Sequence, residues 1–584
     1  MIKPRKTLAN IEPYEIDKYY PNFELKLDSN ENIYGPSPRV INELKNFSPD
    51  RVKFYPAYGR LIDKLSDILD CGSDNLVLTN GCDEAINVLF NAYLDPCDKV
   101  LSYAPTFSMP KIYCDILGAD FFEITYNSDF DFDLDRFEDN IDDKTKILYI
   151  TSPNNPTGGV VEIGKIEYLA DKYKDKLIAL DFTYFNYSDL DHGEYFSLVK
   201  KYSNVAILKS MSKDFALAGL RIGFIYADCK IVNEIRKVIS PYSVNAAAVC
   251  AANAALEDFD YYVGVLNKIK NTKAKLCGEL TNIGFDCRST QANFLLCNMR
   301  EYADFYYQKL LNNGIKVKYF KGVKGLENTF RITVPDDMGA DKLIETLKTK
   351  PLFVFDLDGV VFDVKNSYRE AIKKTFAYFT GYECSDDDMQ NAKNMGGLSN
   401  DWDLTAYLIK KAGFEADYNE LIKIFQDYFF VPEKEGSKGL IDREEVVYNE
   451  EFFKNLTKYA DCAVFTGRPR NEAFYSLEKF GIKKYFSFFM CNEDLMGNQK
   501  PSPFGLFEIK KRCPYSDIFY FGDTVDDIKA GIEAGVKVFG IIPPNAPCAF
   551  KTKEIMINMG AKDVFDSPEC LFEALVEGKV NANC

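Results

Sequence analysis

Two α/β units in series, each a mostly parallel sheet covered by helices, are predicted for this chain of 584 residues. Three observations carry that expectation. From about residue 75 onward, short β-rich apolar runs alternate with helix-length amphipathic stretches, the pattern of βα units rather than of hairpins. The length exceeds what one core serves at about 100 to 200 residues per domain. The alternation also restarts at Leu352–Phe355, after a helix-like segment at Asp341–Lys350 and a proline at 351, so a boundary is expected at 349–351.

Composition narrows the function. Apolar residues make up 46% and charged residues 27%, as in ordinary globular proteins. The 88 acidic residues outnumber the 71 basic ones and leave a formal charge of −17, a surface that repels nucleic acid and anionic lipid; neither is an expected partner. No leading apolar segment and no membrane-length apolar run is found, so a cytoplasmic location is expected. The 16 cysteines are scattered without a CxxC pair, which reads as reduced thiols with no disulfide or zinc scaffold. A single histidine, His192, excludes a three-histidine metal centre and leaves the chemistry to Lys, Asp, Tyr, Ser and Arg.

The strands of the first unit are expected at Asn75–Thr79, Lys99–Ser102, Ile147–Thr151, Leu177–Leu180, Asn204–Leu208 and Ile222–Tyr226, each followed by a polar or Gly/Pro-containing segment where open α/β sheets bind ligands. After the first, TNGCDEAI joins strand to helix, where the backbone N–H groups of Gly81, Cys82 and Asp83 can bind a phosphate. After the second, PTFSM offers Phe107 as a flat face for a ring, or simply as core. After the third, SPNNPTG makes a turn that presents Asn155. Next comes LIALDFTY with Asp181, a pyridinium partner or a turn cap, and Tyr184 close behind. The fifth strand delivers Ser210, Ser212 and Lys213, followed by Arg221. Together they offer an amine for a cofactor aldehyde, with hydroxyls and a guanidinium for its phosphate.

In this order the segments resemble fold-type I aminotransferases, specifically the histidinol-phosphate aminotransferase branch, across residues 1–349. The resemblance implies a large, mostly parallel sheet with a small C-terminal subdomain, and pyridoxal 5'-phosphate as cofactor. It makes Lys213 the Schiff-base lysine and proton shuttle, Asp181 the pyridinium partner, and Asn155 with Tyr184 the partners of the ring hydroxyl. Ser210, Ser212 and Arg221 would hold the cofactor phosphate, and Arg331 in FRITV would meet the anionic group of the substrate. Asn30, in the Asn30–Asn32 motif, would lie near the site, while Tyr55 and Tyr14 match tyrosines that enter the neighbouring subunit's site, implying a homodimer.

The chain departs from that pattern where substrate is chosen. The family's D-E-A-Y reads Asp-Phe-Thr-Tyr, its V-G-T reads Val334-Pro335-Asp336, and its second phosphate-binding arginine is Lys318, which attracts phosphate without a bidentate fork.

In the second unit, LFVFDLDGVVFD ends a strand in Asp356 and Asp358, two carboxylates on one side of an extended segment that suit a nucleophile and an acid/base. VFTGR supplies Thr466 for a phosphoryl group, KPSP supplies Lys500 for developing charge, and IFYFGDTVDDI supplies Asp523 and Asp527. With Asp356 and Asp358, these are oxygen ligands suited to Mg²⁺. The four motifs resemble the haloacid dehalogenase superfamily across 351–584, with a helical cap at about 368–455 that favours small phosphorylated substrates and a Rossmann-like core. No histidine lies in this unit, so a zinc-loop histidinol phosphatase is not expected.

Joined, the two activities predict amino transfer from glutamate or a similar donor to a small phosphorylated ketone, such as imidazole-acetol phosphate or dihydroxyacetone phosphate. Phosphate hydrolysis would then leave an amino alcohol. A second reading with the same cofactor motifs is decarboxylation of phosphoserine or phosphothreonine. A non-catalytic scaffold should lack Lys213 or Asp356, and both are present.

Overall fold

The first large sheet orders its strands Leu76–Thr79, Gly223–Ala227, Val205–Ser210, Leu177–Asp181, Thr145–Thr151, Lys99–Ala104 and Asp120–Thr125. All run parallel except Gly223–Ala227, which is antiparallel to both neighbours. The central strands Leu177–Asp181 and Val205–Ser210 are buried along their whole length, as a sheet covered on both faces requires. Alternation then splits the core: Ile178, Leu180 and Ile207 enter one apolar cluster, Leu177, Ala179, Ala206 and Leu208 the other. Each expected strand is present; the edge strand Asp120–Thr125, only partly buried, escaped the apolar pattern.

This computed structural model describes residues 23–566, apart from 349, 399, 431–438, 459, 514, 516, 544–545 and 547–548, together with 2, 4–8, 11 and 570. Tyr14 lies outside the described residues. The chain divides into two units, Met1–Ala303 with Gly314–Thr346, and Asp304–Asn313 with Leu347–Cys584.

Within the first unit a second sheet orders Leu25–Leu27, Ile315–Tyr319, Thr329–Thr333, Phe294–Asn298 and Asp286–Ser289, antiparallel except for the first pair. Its register sets Cys297 opposite Cys287, Cα atoms 4.2 Å apart, and the two form a disulfide. The expectation of reduced thiols alone is corrected at this pair, because cross-strand register brings Cβ atoms together at a spacing that no short motif announces. The helix expected at Asp341–Lys350 runs Asp337–Leu347.

The second unit is built on a six-stranded parallel sheet ordered Phe486–Met490, Asp461–Phe465, Leu352–Phe355, Ile518–Gly522, Lys537–Ile541 and Val564–Phe565. A short ribbon, Phe362–Asp363 against Glu445–Val446, spans the exit and return of the helical insertion. Between its strands lie the helices Tyr368–Thr380, Asp386–Lys393, Asp401–Lys411 and Tyr418–Phe430. No helix among the described residues is long and apolar enough to cross a membrane.

Candidate active sites

Adjacent parallel strands release Asp181 and Ser210 side by side at their carboxyl ends. A cavity of about 150 Å³ opens there. The first turn of the Gly81–Tyr93 helix contributes Cys82 and Asp83 to it, and the segments after neighbouring strands contribute Phe107, Asn155 and Tyr184. Ser210, Ser212, Lys213 and Arg221 complete the expected set. Motif order along the chain has become convergence in space.

Asp181 is buried and accepts from the Tyr149 hydroxyl at 2.8 Å and from the Thr183 backbone N–H at 3.0 Å. Burial raises its carboxyl, against hydrogen bonds from Thr183 and Tyr149 that favour the charged form. The Lys213 amine donates to the Ser29 carbonyl at 2.7 Å, and the Tyr187 hydroxyl anchors the Lys213 carbonyl at 2.9 Å. Burial, then the nearby charge of Arg331, brings that amine down to about 8, where a substantial fraction is neutral and nucleophilic near physiological pH.

Gly81 has φ +75°, and a Cβ there would lie 2.7 Å from Arg221 Nη2, so the backbone must stay bare for the guanidinium to pass. Arg221 pairs with Asp83 at 2.6 Å. The buried Ser212 hydroxyl has no hydrogen-bond partner among the described residues.

Arg331 donates to Asn155 Oδ1 at 2.5 Å and to the Asp28 carbonyl, which ties the small sheet to the cavity wall. Asn30, buried, donates to the Tyr184 hydroxyl at 2.9 Å. Lys318 sits opposite Arg331 in register but is exposed and lines no part of the Lys213 cavity. Tyr55 also stays away from that cavity: it is 79% exposed and stacks on Tyr242 with ring centroids 4.5 Å apart.

In the second unit, the Leu352–Phe355 strand lies between Asp461–Phe465 and Ile518–Gly522, and the three strand ends converge on a cavity of about 60 Å³. Carboxylate oxygens of Asp356, Asp523 and Asp527 all lie within 4.8 Å of one another. Lys500 bridges two of them, at 2.9 Å to Asp356 and 2.8 Å to Asp527. Burial lifts the Asp356 carboxyl to about 7, against the pull of Lys500 and helped by repulsion from Asp527. Asp523 is raised by burial and by Asp527. Burial opposes the charge of Asp527 too, yet Lys500, Thr524 and Tyr520 hold it below the usual carboxylate range. Gly359 has no alternative here, since a Cβ would meet Asp523 Oδ2 at 2.1 Å.

Two expectations change. The side chain of Asp358 is absent from the carboxylate trio because Arg468 Nε holds its Oδ1 at 2.9 Å, so the gathered metal-ligand set is Asp356, Asp523 and Asp527. Thr466 is fully buried, and its hydroxyl accepts the Arg468 backbone N–H at 3.2 Å; Gly467 and Arg468 line the cavity in its place.

Other lining residues were not singled out beforehand: Thr151 and Thr183 in the first cavity, and Lys393, Asp401, Trp402, Arg468 and Glu472 in the second. Arg468 stands inside VFTGR, Thr183 inside LIALDFTY and Thr151 at the end of an expected strand, whereas Lys393, Asp401, Trp402 and Glu472 lie on segments without a local signature.

A lysine beside a buried carboxylate and an anion-binding helix start define an amino-transfer cavity, and the carboxylate trio with Lys500 defines a phosphatase-type site. The chain belongs to the aminotransferase class I and II family, matched over residues 24–347, and continues into a haloacid dehalogenase-like hydrolase domain, matched over 353–541. Histidinol-phosphate aminotransferase 1 of Carboxydothermus hydrogenoformans is 35% identical over 343 residues, covering 57% of this chain and 95% of the relative. The histidinol-phosphate aminotransferase of Caldanaerobacter subterraneus subsp. tengcongensis is 31% identical over 353 residues, covering 59% and 97%. Among solved structures, the histidinol-phosphate aminotransferase from Clostridium acetobutylicum superimposes with a TM-score of 0.52 at 25% identity, covering 55% of this chain and 98% of that one.

The first cavity suits the cofactor of that family, pyridoxal phosphate. The partnerless Ser212 hydroxyl, the N–H groups at the Gly81 helix start and Arg221 form a cradle for its phosphate. A protonated ring nitrogen against Asp181 would restore the charge that burial disfavours.

Proposed function

We propose that the chain transfers an amino group, with glutamate or a similar donor, to a small phosphorylated ketone, and that its second domain then removes the phosphate to leave an amino alcohol. The division of labour follows the domains, residues 1–349 for amino transfer and 351–584 for hydrolysis. The observation that carries the first half is the convergence of Lys213, Asp181, Ser212 and Arg221 on one cavity. When bound, pyridoxal phosphate supplies an electron sink for the substrate carbon that gives up its proton. Asp181 keeps the ring nitrogen protonated, Lys213 Nζ carries the proton between carbon atoms, and Asn155 with Tyr184 orients the ring. Arg331, within reach of Asn155, receives the substrate's anionic group.

In the second half, Asp356 attacks phosphorus and Asp358 exchanges protons with the leaving oxygen and then with water. Lys500 neutralises developing charge. Asp356, Asp523 and Asp527 suit Mg²⁺, which would offset charge on the phosphoryl oxygens. The names of the relatives favour imidazole-acetol phosphate as the ketone, with dihydroxyacetone phosphate as the second candidate. Exposed Tyr55, beside exposed Val52 and Phe54, supports a homodimer in which it reaches the partner subunit's cavity. The acidic surface and the absence of a membrane-length helix among the described residues accord with a cytoplasmic enzyme.

The test incubates the purified chain with pyridoxal phosphate, Mg²⁺ and glutamate against both ketones, phosphoserine and phosphothreonine. Formation of 2-oxoglutarate followed by inorganic phosphate is expected. Carbon dioxide release without 2-oxoglutarate would replace this reading with decarboxylation.

A further inference from the structure

The phosphatase cavity holds more negative charge than its chemistry uses. Among the described residues, six carboxylates line it against three cations, Lys393, Arg468 and Lys500. Each cation is already engaged: Lys500 by Asp356 and Asp527, Arg468 by Asp358, and Lys393 by Asp401 at 3.0 Å. Asp523 belongs to the cation-binding trio. A divalent metal and a phosphate dianion cancel each other, so their arrival leaves the excess in place.

The remaining carboxylate is Glu472, on the helix after the Arg468 loop. It is 2% exposed, lines the cavity and appears in no ion pair among the described residues. Its donors are both neutral: the Tyr368 hydroxyl, and the Gln426 amide at 3.2 Å. An ionised carboxylate has about four acceptor positions, so two remain for a ligand. Burial raises the Glu472 carboxyl, against Tyr368, the nearby charge of Arg468 and Gln426, which favour its charged form. From the inserted helices, Trp402, the chain's one tryptophan, lines the same cavity with an aromatic face of the kind that attracts ammonium groups.

We propose that this cavity selects phosphate monoesters whose leaving group carries a protonated amine, with Glu472 accepting from the ammonium and Trp402 covering it. This rests on the reading of the second domain as a phosphatase and deepens it, since aminoalkyl phosphates are the class of product that the amino-transfer half would deliver. A competing direction exists at the neighbouring cavity, lined by Lys365 and Arg369, which would favour an anionic leaving group.

The experiment compares kcat/KM of the full-length enzyme with Mg²⁺ for three phosphates of matched size: 2-aminoethyl phosphate, propyl phosphate and phosphoglycolate. p-Nitrophenyl phosphate serves as a general substrate. A preference of roughly ten- to hundredfold for the amine over propyl phosphate is expected, the scale of a hydrogen bond between charged groups. In Glu472→Gln, which keeps the shape and the Tyr368 contact, that ratio should fall toward one; a purely structural glutamate would lower both rates together and leave the ratio intact. Equal rates on all three substrates, a preference for phosphoglycolate, or a preference that survives Glu472→Gln would overturn the proposal. Should Glu472→Gln not fold, the wild-type ratio and Trp402→Leu decide it. Failure to hydrolyse even p-nitrophenyl phosphate would instead reject the phosphatase reading itself.

Discussion

Arg468 donates from both Nε and Nη2 to the same oxygen of Asp358, the first of these contacts at 2.9 Å. Glu444 and Ser476 grip the guanidinium from its other edge, and Tyr368 lies against its face at 4.7 Å, so the proposed acid/base carboxylate is aimed by a buried chain of contacts. Lysine keeps the charge and loses the fork. Arg468→Lys is expected to lower kcat for phosphate release about 10²-fold, the scale of a misoriented catalytic group. KM should change little; steady-state kinetics on p-nitrophenyl phosphate, with circular dichroism as a fold control, checks this.

The two activities should be separable. Lys213→Ala removes the only lysine that lines the first cavity among the described residues, so amino transfer should fall by about 10³-fold or more while phosphate release persists. The visible absorbance of the bound cofactor should change with it. Retained transamination would reject Lys213 as the reacting amine.

Asp356→Asn is the converse case. Loss of the attacking carboxylate should reduce phosphate release by roughly 10⁴-fold or more and leave amino transfer intact. Chelation of divalent metal should mimic it, with rescue by Mg²⁺, because Asp356, Asp523 and Asp527 would lose the cation proposed to balance them. Phosphate release that survives chelation would count against the metal assignment.

The Lys213 amine is brought from its ordinary 10.5 to about 8 by burial and then by Arg331. Only the deprotonated amine attacks a carbonyl, so uptake of pyridoxal phosphate by the apoenzyme should quicken as pH rises toward about 8 and level off above it. Arg331→Met removes a repelling cation, and the midpoint should therefore move upward. Stopped-flow absorbance against pH measures both; a midpoint that falls in the variant would contradict this arrangement.

Gly81→Ala asks a left-handed residue to carry a Cβ that would meet the Arg221 guanidinium at 2.7 Å. The backbone strain alone costs about 1–3 kcal/mol. Pyridoxal phosphate affinity should fall because Arg221 is displaced from the cradle, and the melting temperature should drop. Equilibrium dialysis and calorimetry would register the two effects separately.

Much of both sites was legible because each motif follows its own strand. The strands expected at Leu177–Leu180 and Asn204–Leu208 run Leu177–Asp181 and Val205–Ser210, and Asp181 and Lys213 beyond the expected ends line one cavity. Tyr55 and Lys318 were less legible, since their expected roles involve surfaces beyond one strand end: Tyr55 is exposed and Lys318 lies outside the cavity. Thr466 shows the limit at the scale of one residue. Its motif was recognised, but its hydroxyl turns to the Arg468 backbone, and only the local turn sets that direction.

By itself the chain's order of residues determined the two α/β units, the strands that carry Asp181, Lys213, Asp356 and Asp523, and the chemistry those groups support. A parallel sheet makes this possible, because each strand and its functional loop are contiguous and all loops emerge along one edge. Tertiary structure alone decided that Arg331 reaches Asn155 across 176 residues, that Arg468 claims Asp358, that Cys287 bonds Cys297, and that Glu472 enters the phosphatase cavity. Those meetings depend on sheet register and on the packing of segments far apart in the chain, and no local pattern of residues encodes such distances.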